Sequence, residues 1–152
     1  MTDPSIDAPI VLLLSGPNLN LLGIREPEIY GTATIENLVS VATDAAAHHG
    51  LAVEHLQTNH EGELVDAIQA ARNRCAAIVI NPGAFTHYAW SIHDALATFD
   101  GPDVEVHISN PNAREAWRHT SVVSPVASGT IAGFGLDGYR LAMDSLPALL
   151  RR

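Results

Sequence analysis

No lysine occurs in the 152 residues, and the eight basic side chains are all arginine, at positions 25, 72, 74, 114, 118, 140, 151 and 152. That absence excludes catalysis through a lysine Schiff base and any P-loop that needs its lysine. Cys75 is the only cysteine, so no internal disulfide can form and a reducing compartment suits the chain. Positive charge is scarce as well. The formal net charge of −9 argues against a general nucleic-acid or acidic-membrane binder, because such partners need a basic footprint. An anionic small molecule remains a compatible partner if a few arginines are focused in one cleft. No apolar run approaches the roughly 18 residues of a membrane-spanning helix. Residues 1–9 carry no basic group and no apolar stretch, so the expectation is a cytoplasmic protein with neither membrane nor nucleic-acid contacts.

Two further absences concern cofactors. His48, His49, His55, His60, His93 and His119 show neither H-E-x-x-H nor paired Cys/His spacing, so no metal is expected. Gly133 and Gly135 form a G-x-G near the end of the chain, but G-x-G-x-x-G does not occur. A dinucleotide site is therefore not expected, and no cofactor is assigned.

What the chain does contain is a regular alternation of apolar segments. Residues 10–14 and 76–80 are continuous apolar runs, the pattern of strands buried on both faces, while 51–58 alternates and 104–108 and 129–133 fit further strands. Between them, residues 34–49, 63–74, 87–98, 113–119 and 136–150 read as helices, with Thr34 as N-cap, Gly50 as a stop, and Pro147 bending or ending the last helix early. Strands separated by helices imply a parallel sheet covered on both sides. The expected fold is α/β: a flavodoxin-like, three-layer single domain over residues 1–152, with residues 1–8 flexible and strand order 2-1-3-4-5. In that order the loops after strands 1, 3 and 4 converge at the switch point. The hydrophobic fraction of 47% suits a well-filled monomer core and subunit contacts alike.

Those three loops carry the polar residues. Residues 14–31 read L-S-G-P-N-L-N-L-L-G-I-R-E-P-E-I-Y-G, too rich in Gly and Pro for a helix or strand interior, and predict a long structured loop. Within it, Arg25 and Tyr30 lie between Gly23 and Gly31, which permit a hinged lid. A tyrosine base at neutral pH needs about 4 kcal/mol of preferential phenolate stabilisation, part of which a guanidinium supplies. The alternative is a ring packed on the sheet beside a solvated arginine. Asn18 is either a turn former or a hydrogen-bonding group. After strand 3 come Asn81, His87 and Asp94, the last two at a spacing that shares a helical face; a solvated stripe is the competing reading. On strand 4, alternation puts Glu105, His107 and Ser109 on one face. This is either a satisfied polar pair, or a carboxylate that orients an imidazole and keeps it protonated as a general acid. Arg114 and Arg118 share a helical face, forming an anion site or a salt-bridged surface.

The segment G-P-N-L-N-L-L-G-I-R-E-P-E-I-Y-G resembles the signature of the type II 3-dehydroquinate dehydratases, and N-P-G-A-F-T-H-Y (81–88) and E-V-H-I-S-N-x-x-A-R-E-x-x-R-H (105–119) resemble that family in the same order. Ser15 and His93 stand where the family more often has Asn and Arg. The resemblance implies a shikimate-pathway lyase that removes water from 3-dehydroquinate by anti elimination. It implies Tyr30 as base, Arg25 stabilising the developing charge, Asn18 at the enolate oxygen or its water, and His107 as acid oriented by Glu105. Substrate contacts then fall to Asn81, His87, Ile108, Ser109 and Arg118, with Arg114 positioning or raising the potential around Tyr30. Asp94 would act across a subunit boundary in a dodecamer assembled as a tetramer of trimers. The rival reading is a flavodoxin-like nucleotide-binding or signalling module, which would need a phosphate loop or a receiver's Lys; the chain supplies neither.

Overall fold

The computed structural model describes residues 7–24 and 26–152, and the side chain of Tyr30 lies outside what it describes, as do Arg25 and residues 1–6. Five strands form one all-parallel sheet in the order β2-β1-β3-β4-β5: β1 Ile10–Ser15, β2 Ala52–Gln57, β3 Ala77–Asn81, β4 Asp103–His107 and β5 Gly129–Ala132. The helices are α1 Pro27–Tyr30, α2 Ile35–Ala47, α3 Glu61–Ala71, α4 Trp90–Ala97 and α5 Asp137–Leu150. The architecture and strand order are those expected from the alternating pattern.

The apolar runs are continuous because both faces are covered. Val11, Leu13, Ala77, Val79, Val104 and Val106 pack with α2 and α5, whereas Leu12, Leu14, Ile78 and Ile80 pack with α3 and α4. Strand β4 departs from this rule. Its second face carries the buried Asp103, Glu105 and His107 in place of apolar side chains, a desolvation cost that demands hydrogen-bonding partners.

Helix α2 begins as expected: Thr34 Oγ1 accepts from Asn37 N–H (3.3 Å) and Asn37 Oδ1 accepts from Thr34 N–H (2.9 Å), a reciprocal cap. Four expectations need correction. The helix expected over 87–98 is a 3-10 turn, Gly83–His87, followed by α4; Thr86 C=O accepts from Val122 N–H (2.8 Å), and that tertiary bond ends the first turn. His87 and Asp94 therefore do not share a helical face. The helix expected over 113–119 is two 3-10 turns, Pro111–Ala113 and Ala116–Arg118, with Arg114 extended between them; Asn110 Oδ1 captures Asn112 N–H and starts the first turn too tightly for an α-helix. Pro147 does not end α5, which continues to Leu150 because Tyr139, Ala142, Met143 and Leu146 hold its apolar face on the sheet. The opening loop is also less irregular than expected, containing a 3-10 turn at Leu19–Leu21 and the short α1. Gly23 (φ 90°) and Gly31 (φ 77°) take the positive φ that glycine permits.

Candidate active site

The carboxyl ends of β1, β3 and β4 open into one cleft. Pro17, Asn18 and Leu19 line it from the first loop; Asn81, Gly83, Ala84 and His87 from the second; and His107, Ile108, Ser109, Pro111, Arg114 and Arg118 from the third. This is the switch point of a doubly wound sheet, where β1 pairs with both β2 and β3. The first two loops meet because Gly16 N–H donates to Asn81 C=O (2.8 Å).

The centre of the cleft is the pair on β4. His107 Nε2–H donates to Glu105 Oε2 at 2.5 Å, and Glu105 is 1% exposed. Burial pushes the Glu105 carboxyl up. Hydrogen bonds from His107, Ser124 and Ser121 outweigh that and hold it below the usual carboxylate range. An ionised Glu105 thus takes one edge of the imidazole and leaves Nδ1 for the cleft.

Asn81 ends β3 with its amide held at both ends, Oδ1 accepting from Gly83 N–H (3.1 Å) and Nδ2 donating to Tyr139 Oη (3.1 Å). His87 Nδ1–H donates to Thr120 C=O (2.7 Å), and the ring stands edge-on to Trp117, 5.3 Å between centroids. Burial lowers the His87 pKa more than the Thr120 bond raises it, so the ring is neutral at physiological pH with Nε2 available as an acceptor.

Arg118 donates to Glu115 Oε2 (2.6 Å) and its guanidinium lies 4.0 Å above the Trp117 ring. Arg114 donates to Ser109 Oγ (3.3 Å) and reaches Glu26 of the first loop at 3.8 Å. The two arginines reach the cleft although they share no helix. They concentrate positive charge in a protein of net charge −9. Asn18 takes a left-handed conformation (φ 69°), and its N–H donates to Asn59 Oδ1 (3.0 Å).

The cleft so gathers Asn18, Asn81, His87, His107, Ile108, Ser109, Arg114 and Arg118, with Glu105 directly behind His107. Asp94 is exposed on α4 and does not line it. Of the first loop's two proposed charge carriers, Arg25 and the Tyr30 phenol lie outside the described residues, and the Tyr30 backbone closes α1. Sequence reasoning missed Tyr139, Ser121 and Ser124. Tyr139 reads as one more core residue on an apolar helical stripe, and only its hydroxyl signals a need for a partner. The two serines carry no local signal.

A doubly wound α/β sheet, with an imidazole–carboxylate pair and two arginines in the crevice at its switch point, is the arrangement of an enzyme whose cleft can exchange protons with a small anionic ligand. The pattern of the family described as dehydroquinase class II matches residues 9–147, and the chain belongs to that family. It is 54% identical over 136 residues to a Corynebacterium efficiens protein named 3-dehydroquinate dehydratase 1, covering 90% of each chain. It is 51% identical over 134 residues to a Penicillium rubens protein named catabolic 3-dehydroquinase, covering 88% of this chain and 86% of that one. The crystal structure of the type II dehydroquinase from Butyrivibrio crossotus is similar at a TM-score of 0.89 and 48% identity, over 92% of this chain and 98% of that one.

Proposed function

We propose that the protein removes water from 3-dehydroquinate to give 3-dehydroshikimate by anti elimination through an enolate. The Tyr30 phenolate, its charge stabilised by Arg25, takes the proton from C2. The C–H electron pair moves toward C3, and the carbonyl oxygen becomes an enolate oxygen held by Asn18 and a water. When the enolate collapses, the C1–O bond breaks, and His107 gives its proton to the departing hydroxyl so that water leaves. Base and acid belong to different loops and approach opposite faces of the ring, in keeping with anti stereochemistry.

The observation that carries this reading is the buried Glu105–His107 contact opening onto a cleft with two arginines. A neutral His87 and the Asn81 amide suit the hydroxyls of a cyclic polyol, and hydrogen-bonding sites reject analogues that lack such hydroxyls. The Ile108 N–H and the Ser109 hydroxyl bind the substrate carboxylate, with Arg118 adding charge and Arg114 raising the potential near Tyr30. The working form is a cytoplasmic homo-oligomer, a dodecamer built as a tetramer of trimers, in which Asp94 reaches a neighbouring cleft. The exposure of Tyr88 (58%) and Trp90 (61%) close to Asp94 supports such contacts.

The test is the appearance of the conjugated enone-acid product, read by its ultraviolet absorbance, on adding 3-dehydroquinate. Turnover must survive borohydride in the presence of substrate, since no lysine can form an imine. No absorbance change with 3-dehydroquinate overturns the proposal.

A further inference from the structure

Ser121 does not line the cleft, yet among the described residues it is bonded to the site more fully than any other hydroxyl outside it. Its Oγ accepts from Val123 N–H (3.1 Å) and from Ser124 N–H (3.0 Å). Both lone pairs are therefore taken by backbone donors, and the hydroxyl proton must point away from them. It points at Glu105, lying 3.1 Å from Oε1 and 3.0 Å from Oε2. Ser124 Oγ donates to Oε1 alone (2.8 Å), and His107 takes Oε2. Among the described residues, only Ser121 addresses both oxygens. Ser124 and His107 each hold one oxygen, and a third, charge-assisted donor centred between the two fixes how far the carboxylate reaches toward the His107 ring and favours its anion.

We infer that Ser121 is a positioning residue of this site: its hydroxyl, able to donate only to Glu105, anchors that carboxylate where it meets the His107 ring. The inference rests on His107 being the proton donor of the proposed reaction. The turn that begins at Ser121 thus has a chemical task. Its two backbone bonds aim one O–H, and that O–H aims a carboxylate.

The titratable groups acting near Glu105 are His107 and Asp103 on β4 and His87 from the 83–87 turn. Ser121→Ala leaves all three in place and removes one donor from the Glu105 anion. The carboxylate then protonates at higher pH, and the acidic limb of the kcat profile moves upward with it.

The experiment measures kcat and KM against pH for the parent, Ser121→Ala, Ser121→Thr and Ser124→Ala. For Ser121→Ala, kcat falls roughly tenfold to a hundredfold, KM stays within about twofold because the residue is outside the cleft, and the deficit deepens on acidification. Ser121→Thr restores the hydroxyl and most of the rate. Ser124→Ala keeps the turn and removes a single bond to Oε1, so it shows a smaller loss in the same direction and keeps the inference testable should Ser121→Ala fold poorly. Profiles of Ser121→Ala and Ser124→Ala that overlay the parent overturn the inference, as does a pH-independent loss that Thr does not rescue. His107→Gln, run alongside, separates this from the underlying reading. If it is inactive while Ser121→Ala is normal, only the role of Ser121 falls; if it keeps full turnover, both fall.

Discussion

Tyr139 and Asn81 are 58 residues apart, and the hydroxyl of one holds the amide of the other: Asn81 Nδ2 donates to Tyr139 Oη at 3.1 Å. Tyr139 is fully buried, and burial pushes its phenol pKa up, so it remains a neutral acceptor throughout the working range. The last helix thereby reaches through the core to a group at the end of β3.

Tyr139→Phe keeps the ring and its packing but leaves a buried amide N–H without that acceptor. The expected cost is about 1–3 kcal/mol, equivalent to a Tm decrease of roughly 3–9 °C in a domain of this size. Because Asn81 is read as a substrate contact and not as the base or acid, KM rises severalfold while kcat changes less. Calorimetry and steady-state kinetics check the two halves. An unchanged KM with the full loss of stability would make the bond purely structural.

How much of this was legible in the sequence depends on how far apart the partners lie. The unbroken apolar runs of β1 and β3 and the Thr34 cap of α2 are local signals, and they read correctly. Near His87 and Arg114, helical spacing misled, because the Thr86 carbonyl is taken by Val122 and the Asn112 N–H by the Asn110 side chain. Such bonds leave no periodic trace. The cleft residues were nevertheless legible, since they follow the strand ends that the fold brings together. Their supports, Tyr139, Ser121 and Ser124, act across 58, 16 and 19 positions and could not be paired without coordinates.

Two carboxyls on β4 obey opposite pH laws. Asp103 is 4% exposed, and its Oδ2 has no hydrogen-bond partner among the described residues. Burial, reinforced by the Glu105 charge, pushes its pKa from 3.8 up to about 7 against the opposing bond to its own backbone. Between those values the folded chain keeps a proton that the unfolded chain releases. Its contribution to stability is therefore complete below about 3.8 and is lost as pH rises through about 7. Glu105, held below its usual value, contributes above the unfolded pKa of 4.5 and loses that contribution on acidification. Asp103→Asn should flatten the fall in Tm between about pH 3.8 and 7 and leave the limb below 3.8 unaltered. Tm curves with the same slope in that window in both proteins would refute the assignment.

The same substitution at two glycines has opposite expected signs. A Cβ on Gly16 would lie 2.3 Å from the Pro82 carbonyl oxygen and 2.5 Å from its carbon, both backbone atoms. Gly16→Ala must therefore part the first two cleft loops, at a cost on the order of 3 kcal/mol, with KM rising as well. Gly62, near the start of α3, has nothing within 4 Å of the added carbon. Gly62→Ala restricts only the unfolded chain and raises stability by about 0.4–1 kcal/mol. Chemical denaturation of both variants checks the pair, and a stable, fully active Gly16→Ala would contradict the close approach.

The proposed division of labour between base and acid has its own test, because the two proton transfers would leave different traces on the substrate. Tyr30→Phe keeps the ring and removes one oxygen, so binding survives with KM changed by a few-fold at most, while kcat falls on the order of a thousandfold. Without a base no enolate forms, and C2 of 3-dehydroquinate acquires no deuterium from heavy water. His107→Gln also stops dehydration, but it leaves the base in place. The enolate still forms, has no acid to expel the hydroxyl, and returns to the ketone by taking deuterium at C2. Magnetic resonance of substrate recovered from each variant distinguishes the cases: exchange with His107→Gln and none with Tyr30→Phe assigns one proton to each residue. Exchange lost in both variants would mean that the two groups act as a single unit and that the stepwise enolate route is wrong.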